Sequence, residues 1–224
     1  MKFAVLLSGC GVYDGSEIQE VVCVLLSIKS RGHEFQCFSV DKKQYHVVNH
    51  LTKEIVLEKR NCLIESARIC RGEILDVSKY QAADFDALII PGGFGVAKNI
   101  FTYAIDGVNC SISEEIESLV LKTYSIKKPI GAICISPILL AKILKKQGVS
   151  ITITVGEDKD LIDTIASIGA RHKDCPVNSY IYDEQNNIVT SPAYTSAKNV
   201  YEVYQSTEAL ITGILKVYNS FSNK

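Results

Sequence analysis

Two kinds of hydrophobic run alternate along the chain. Short unbroken apolar stretches occur at "KFAVLLS" (2–8), "DALIIPGG" (86–93) and "KPIGAIC" (128–134). Such runs suit strands that are covered on both faces, as in a parallel sheet. Between them lie segments with helical period. "SEIQEVVCVLLSIKSRG" (16–32) sets Ile18, Val21, Val22, Leu25 and Leu26 at helical spacing, with Ser16 and Gln19 in capping-box positions and Gly32 as a stop. "SEEIESLVLKTYSI" (113–126) and "SPILLAKILKKQG" (136–148) read the same way, the latter with Pro137 in its first turn and Gly148 at its end. "EFQCFSV" (34–40) supplies the strand that completes a first βαβ unit. Two stretches break the rhythm and read as hairpin excursions, 45–59 and 179–191, the second turning at Asn186 and Asn187. An amphipathic run from about 196 to 218 closes the chain. No repeat or linker divides it. The pattern predicts one three-layer α/β domain over 1–224, a mostly parallel sheet with helices on both faces.

In such a sheet, ligands bind beyond the carboxyl ends of the strands. Three loops meet that condition: "SGCGVYDGSE" (8–17), "PGGFG" (91–95) and the strand-to-helix turn at Cys134. A cysteine at a sharp strand-to-helix turn can be exposed, and the N–H groups and dipole of the helix start favour its thiolate. Free cysteine is also among the most buried residue types, so the turn alone permits a core residue as well as a nucleophile. The "PGGFG" glycines allow close backbone approach and could aim N–H groups at an oxyanion beside the N–H of Ile135. Glu17, at the start of the first helix, is either a surface acid favoured by the dipole or a carboxyl facing Cys134. In the second case it is expected to be partly protonated near neutral pH and to lower the thiol pKa by donating to the thiolate.

Composition narrows the field. The chain has 224 residues, 47% of them hydrophobic, and a formal net charge of −1 with interspersed charges, which gives no basic footprint for nucleic acid. The apolar start is too short for a signal peptide or membrane span, so a cytosolic protein is expected. Eight scattered cysteines, without a C-x-x-C pair or a Cys/His cluster, predict reduced thiols and no structural metal. The expected partner is a small molecule or another protein.

"GAICISP", "LIIPGGFG" and a glutamate just beyond the first strand together resemble the PfpI-like, class I glutamine-amidotransferase-like superfamily. Within it, "LSGCGVYDGSEIQE", "NHLT", "ESARICRGEI", "PGGFGVAKN" and "CPVNSYIYDEQNNIVTSPAY" resemble the ElbB subfamily, linked by name to isoprenoid biosynthesis, from Leu7 to Tyr194. The resemblance implies a flavodoxin-like sandwich with a nucleophile elbow at Cys134, Glu17 as its carboxyl partner, and Gly92, Gly93 and Ile135 as the adjoining backbone. It also implies that Tyr13, Asp14 and Asn99 line the pocket. The activity it implies is a cofactor-independent, glutathione-independent glyoxalase reaction on a small aldehyde, and the assembly it implies is a homodimer. Departures from the superfamily matter equally. No His-x-Glu follows Cys134, which argues against glutaminase activity, and Ile135 stands where many relatives carry histidine after the cysteine. His172 is the sole histidine beyond Cys134. The alternative from another class is a redox-sensing or regulatory protein that keeps the elbow without turnover.

Overall fold

The computed structural model describes residues 1–222. In chain order its elements are β1 (Lys2–Leu6), α1 (Ile18–Lys29), β2 (Glu34–Ser39), α2 (Cys62–Ile69), β3 (Ile74–Asp76), β4 (Ala87–Ile90), α3 (Tyr103–Asp106), α4 (Glu114–Ser125), β5 (Ile130–Ile133), α5 (Ser136–Lys146), β6 (Thr152–Ile153), α6 (Lys159–Ile168), β7 (Arg171–His172), β8 (Ile181–Asp183), β9 (Ile188–Ser191) and α7 (Val200–Ser222). Seven strands form one sheet in the order β3-β2-β1-β4-β5-β9-β8. All neighbours run parallel except β8, which is antiparallel to β9 at the edge. β6 and β7 form a separate two-stranded sheet.

The alternation of side chains along each strand divides the core in two. Ala4, Leu6, Leu88, Ile90, Ile130 and Ala132 face one side, under Ile116, Leu119 and Val120 of α4 and Ile138 and Leu139 of α5. Phe3, Val5, Leu7, Ile89 and Ile133 face the other, under Val21, Val24 and Ile28 of α1 and Leu210, Ile211 and Ile214 of α7. Burial on both faces is why these strands read as unbroken apolar runs rather than alternating ones. The chain order reverses between β1 and β4, and the crevice this opens lies at the carboxyl ends of the strands.

Two expectations are corrected and one is met in part. The hairpin at 179–191 is no excursion: β9 pairs with β5 inside the main sheet, with Ile130 opposite Ile188. The stretch 45–59 does fold back on itself as expected, with an antiparallel bridge between Val48 and Ile55 and hydrogen bonds from the Asn49 N–H to Glu54 O and the Val56 N–H to Val47 O, although the pairing is too short to form strands. Most consequentially, α1 is rotated from its expected face. Its buried residues are Glu20, Val21, Cys23, Val24, Ser27 and Ile28, whereas Ile18, Val22 and Leu26 are 42%, 48% and 52% exposed. The cap differs as well. Glu17, not Ser16, caps α1 by accepting from the Glu20 N–H at 2.7 Å. Ser16 instead turns inward and accepts from the Ser8 N–H at 2.8 Å.

Candidate active site

β5 ends at Ile133 and α5 begins at Ser136, with only Cys134 and Ile135 between them, so the chain must turn sharply at Cys134. It does so with a left-handed φ of 61°, a conformation costly for a residue with a Cβ, by about 1–3 kcal/mol. The turn is fixed from both sides. The Cys134 N–H donates to Ser191 O at 3.3 Å, and the Ser136 hydroxyl donates to Pro91 O at 2.6 Å, which ties the start of α5 to the loop after β4. The Cys134 thiol is thereby presented, partly exposed, at the N-terminal end of α5, where the N–H groups of Ile135 and Gly93 both donate to its sulfur.

The carboxyl group that meets the thiol belongs to Glu20. Its side chain is fully buried and hydrogen-bonded to Cys134. Each carboxyl oxygen is also held by the backbone: Oε2 accepts from Gly92 N–H at 2.8 Å, and Oε1 accepts from Tyr194 N–H at 3.2 Å. This corrects the expectation for Glu17, whose carboxyl faces the same pocket while capping α1 and is not the partner of Cys134. It corrects Gly92 as well, because that N–H serves Glu20 and is not free for an oxyanion. Gly92 has a second role. A Cβ there would lie 2.5 Å from the Cys134 Cβ, 2.6 Å from Glu20 Oε2 and 2.9 Å from the sulfur. Gly92→Ala is therefore expected to force the thiol and carboxyl apart and to cost about 1–3 kcal/mol of unfolding free energy, measured in urea. Unchanged stability would mean that the contact is softer than the geometry indicates.

Charge in this pair is strongly perturbed. Burial, reinforced by repulsion from Glu17, pushes the Glu20 carboxyl up to about 7, against the stabilising hydrogen bonds from Tyr194, Gly92 and Cys134. Burial and the Glu20 charge push the Cys134 thiol well above its ordinary value, opposed by the Ile135 and Gly93 N–H groups. The expectation of a depressed thiol pKa is thus overturned: desolvation and a neighbouring carboxylate outweigh the helix start. The thiol keeps its proton and donates it to Glu20. Glu17 is raised too, through burial, against hydrogen bonds from the Glu20 and Gln19 N–H groups.

Above the pair lies a cavity of about 420 Å³. Cys134, Ile135 and Gly93 form part of its floor, with Glu17 beside them. Phe94, from the expected loop after β4, forms one wall, and the others come from parts of the chain that sequence reasoning did not assign to the site: Tyr103 of α3, Asp158 and Leu161 at the start of α6, and Tyr194. Tyr103 and α6 are joined by a hydrogen bond of 2.7 Å between the Tyr103 and Thr164 hydroxyls.

The remaining expected residues lie elsewhere. Asn99 is buried and donates to Ser8 O at 2.8 Å and Asp14 O at 2.9 Å while accepting from the Tyr45 N–H. Asp14 accepts from the Val48 N–H at 2.7 Å, and the Tyr13 ring packs 5.0 Å from that of His50. All three hold the loop after β1 against the segment 45–50 rather than line the cavity. His172 sits on β7, 3.7 Å from Asp174, and is not among the lining residues. Among the described residues no helix is long and apolar enough to cross a membrane.

Known proteins share this arrangement of sequence and fold. A model of the DJ-1/PfpI family matches residues 10–203. The ES1 protein homolog, mitochondrial, of Rattus norvegicus is 36% identical over 226 aligned residues, covering 96% of this chain and 84% of that protein. The human glutamine amidotransferase-like class 1 domain-containing protein 3, mitochondrial, is 37% identical, covering 96% and 83% respectively. Among solved structures, an isoprenoid biosynthesis protein with amidotransferase-like domain from Ehrlichia chaffeensis superposes with a TM-score of 0.90 at 40% identity, over 96% of this chain and 99% of that one.

Proposed function

Since this chain belongs to the DJ-1/PfpI family, we propose that it is a cysteine-dependent enzyme acting on small carbonyl compounds, a glyoxalase-type catalyst that converts a 2-oxoaldehyde such as glyoxal to its hydroxy acid without a cofactor. The observation that carries this reading is the thiol of Cys134 sharing a hydrogen bond with the buried carboxyl of Glu20 at the floor of a cavity, with two N–H groups aimed at the sulfur.

The chemistry follows from that pair. Glu20, ionised, accepts the thiol proton as Sγ bonds to one carbonyl carbon, so a free thiolate need never accumulate. The N–H groups of Gly93 and Ile135 lie beside the sulfur and so beside the oxygen on which charge develops. The proton then passes from Glu20 to that oxygen, giving a hemithioacetal and restoring the carboxylate. Glu20 next removes the hydrogen from the sulfur-bearing carbon and returns it to the neighbouring carbon through an enediol, which leaves a thioester. Water hydrolyses the thioester, glycolate departs and Cys134 recovers its proton. The sum is glyoxal plus water to glycolic acid, with no external oxidant or reductant. The same reading admits a link to isoprenoid biosynthesis, the process named for the Ehrlichia chaffeensis protein, and a cytosolic compartment, although the rat and human relatives carry mitochondrial names.

The test is glycolate production from glyoxal by the purified protein without glutathione, together with mass spectrometry of the acid-quenched reaction. A gain of the mass of one glyoxal, mapped to the peptide bearing Cys134, is expected during turnover. Absence of both product and adduct would refute the reading.

A further inference from the structure

The cavity over Cys134 is much larger than glyoxal requires. At about 420 Å³ it falls in the range of pockets that hold ligands of many heavy atoms, roughly 300–1,000 Å³, whereas glyoxal has four. Its lining also has a definite charge. Glu17 stands at the floor and Asp158 at the exposed rim, and no lysine, arginine or histidine lines the space between. Among the described residues neither carboxylate has an ion-pair partner. Lys98, which stands 5.5 Å from the centre of the Phe94 ring, is not part of the lining and donates to Tyr13 O at 2.9 Å. Three aromatic side chains, Phe94, Tyr103 and Tyr194, complete the walls. Aromatic faces combined with unpaired carboxylates attract ammonium groups and repel carboxylates and phosphates.

We propose, resting on the aldehyde reading above, that the preferred substrate class is an aldehyde carrying a positively charged amine group, with Glu17 and Asp158 as the recognising carboxylates and the aromatic walls as the seat of its carbon chain. Asp158, at the rim, meets the charge first, and Glu17 receives it near the reacting carbon. Both side chains cap helices through one oxygen, Glu17 on the Glu20 N–H and Asp158 on the Leu161 N–H at 3.1 Å, which fixes their position. A cation placed beside Glu17 would also offset the negative charge around the thiol, coupling recognition to reaction at the nucleophile.

Charge preference is read directly at Cys134, independently of turnover. The full-length protein is treated with trimethylammonioethyl or with sulfonatoethyl methanethiosulfonate, in which the thiol sulfur displaces methanesulfinate and forms a mixed disulfide. The rate is followed by peptide mass mapping at Cys134, with Cys134→Ala as the blank. The cationic reagent is expected to react at least about tenfold faster than the anionic one, in keeping with the electrostatic focusing of a cleft lined by one sign of charge. The ratio should fall about threefold or more in Asp158→Asn and in Glu17→Gln, which retain the capping oxygens and lose the charge, and should shrink in high salt. Equal rates with the two reagents, or a ratio that neither substitution changes, would overturn the proposal. Loss of glyoxal turnover with the labelling ratio intact would remove the aldehyde chemistry alone and leave the cation preference of the cavity standing.

Discussion

Replacing Glu20 by glutamine is expected to lower glycolate formation by about 10²–10⁴-fold, the usual yield of a positioned general base, and Cys134→Ala to abolish it, while Glu17→Gln loses no more than about tenfold on glyoxal. The distinction rests on contact. Glu20 is hydrogen-bonded to the thiol, whereas Glu17 accepts from the Glu20 backbone N–H and acts on the Glu20 carboxyl through its charge. That charge has its own signature. Because Glu17 contributes to raising Glu20 to about 7, activity should rise with pH through a midpoint near 7 in the wild type and through a lower midpoint in Glu17→Gln. The working sign is that Glu20 must be ionised to accept the thiol proton, so the acid limb belongs to it. Steady-state rates on glyoxal across pH 5–9 decide the matter. A Glu17→Gln enzyme as impaired as Glu20→Gln, with its midpoint unmoved, would return the proton-transfer role to Glu17.

The exchange of Glu17 for Glu20 shows where the sequence was legible and where it was not. Doubly covered strands announce themselves as unbroken apolar runs, and Pro91, Gly92, Gly93 and Pro137 mark the ends of strands and the start of a helix, so the centre of the sheet and the elbow could be read directly, whereas the place of β9 beside β5 could not. In α1 the pattern was ambiguous, because apolar residues occupy nearly every position from Val21 to Leu26 and periodicity cannot choose a face. Ile18, Val22 and Leu26 form one stripe and Val21, Val24 and Ile28 another. The fold buries the second, whose rows also contain Glu20 and Ser27. A buried acid in the core-facing stripe, one turn into a helix that follows a ligand-binding loop, was the available signal. Ser27 fits the same face, reaching Thr207 of α7 at 3.3 Å between hydroxyls. The cavity walls were harder still. Tyr103, Asp158 and Tyr194 are remote from one another in sequence: the packing of α3 and α6 over the carboxyl end of the sheet brings the first two to Cys134, and the pairing of β9 with β5 brings the third. Conversely, Asp14 and Asn99 carried the polar character expected of a binding site but serve buried backbone groups, which any loop crossing the core must satisfy.

The same burial that tunes Glu20 should be visible in stability. Its carboxyl has an ordinary value of 4.5 and is raised to about 7 in the folded protein. Below pH 4.5 both folded and unfolded chains hold the proton, and the group contributes no pH dependence. Between that value and about 7 the unfolded chain releases the proton while the folded one retains it, so unfolding is favoured increasingly as pH rises. Above 7 both are ionised and the deficit is constant at about 3 kcal/mol, taking 1.36 kcal/mol per unit of pKa difference. Glu20→Gln lacks this contribution. Its stability relative to the wild type should therefore climb by about 3 kcal/mol from pH 4.5 to 8, whatever fixed offset comes from leaving one of the Gly92 and Tyr194 N–H groups without a carboxyl oxygen. Urea unfolding of the two proteins at several pH values measures the difference directly, with Glu17 and the remaining ionisable groups common to both. Parallel curves would mean that Glu20 titrates normally in the folded state. A widening gap would mean that the folded protein surrenders stability to keep beside Cys134 a carboxyl that changes charge near neutral pH, where a proton acceptor for that thiol is most useful.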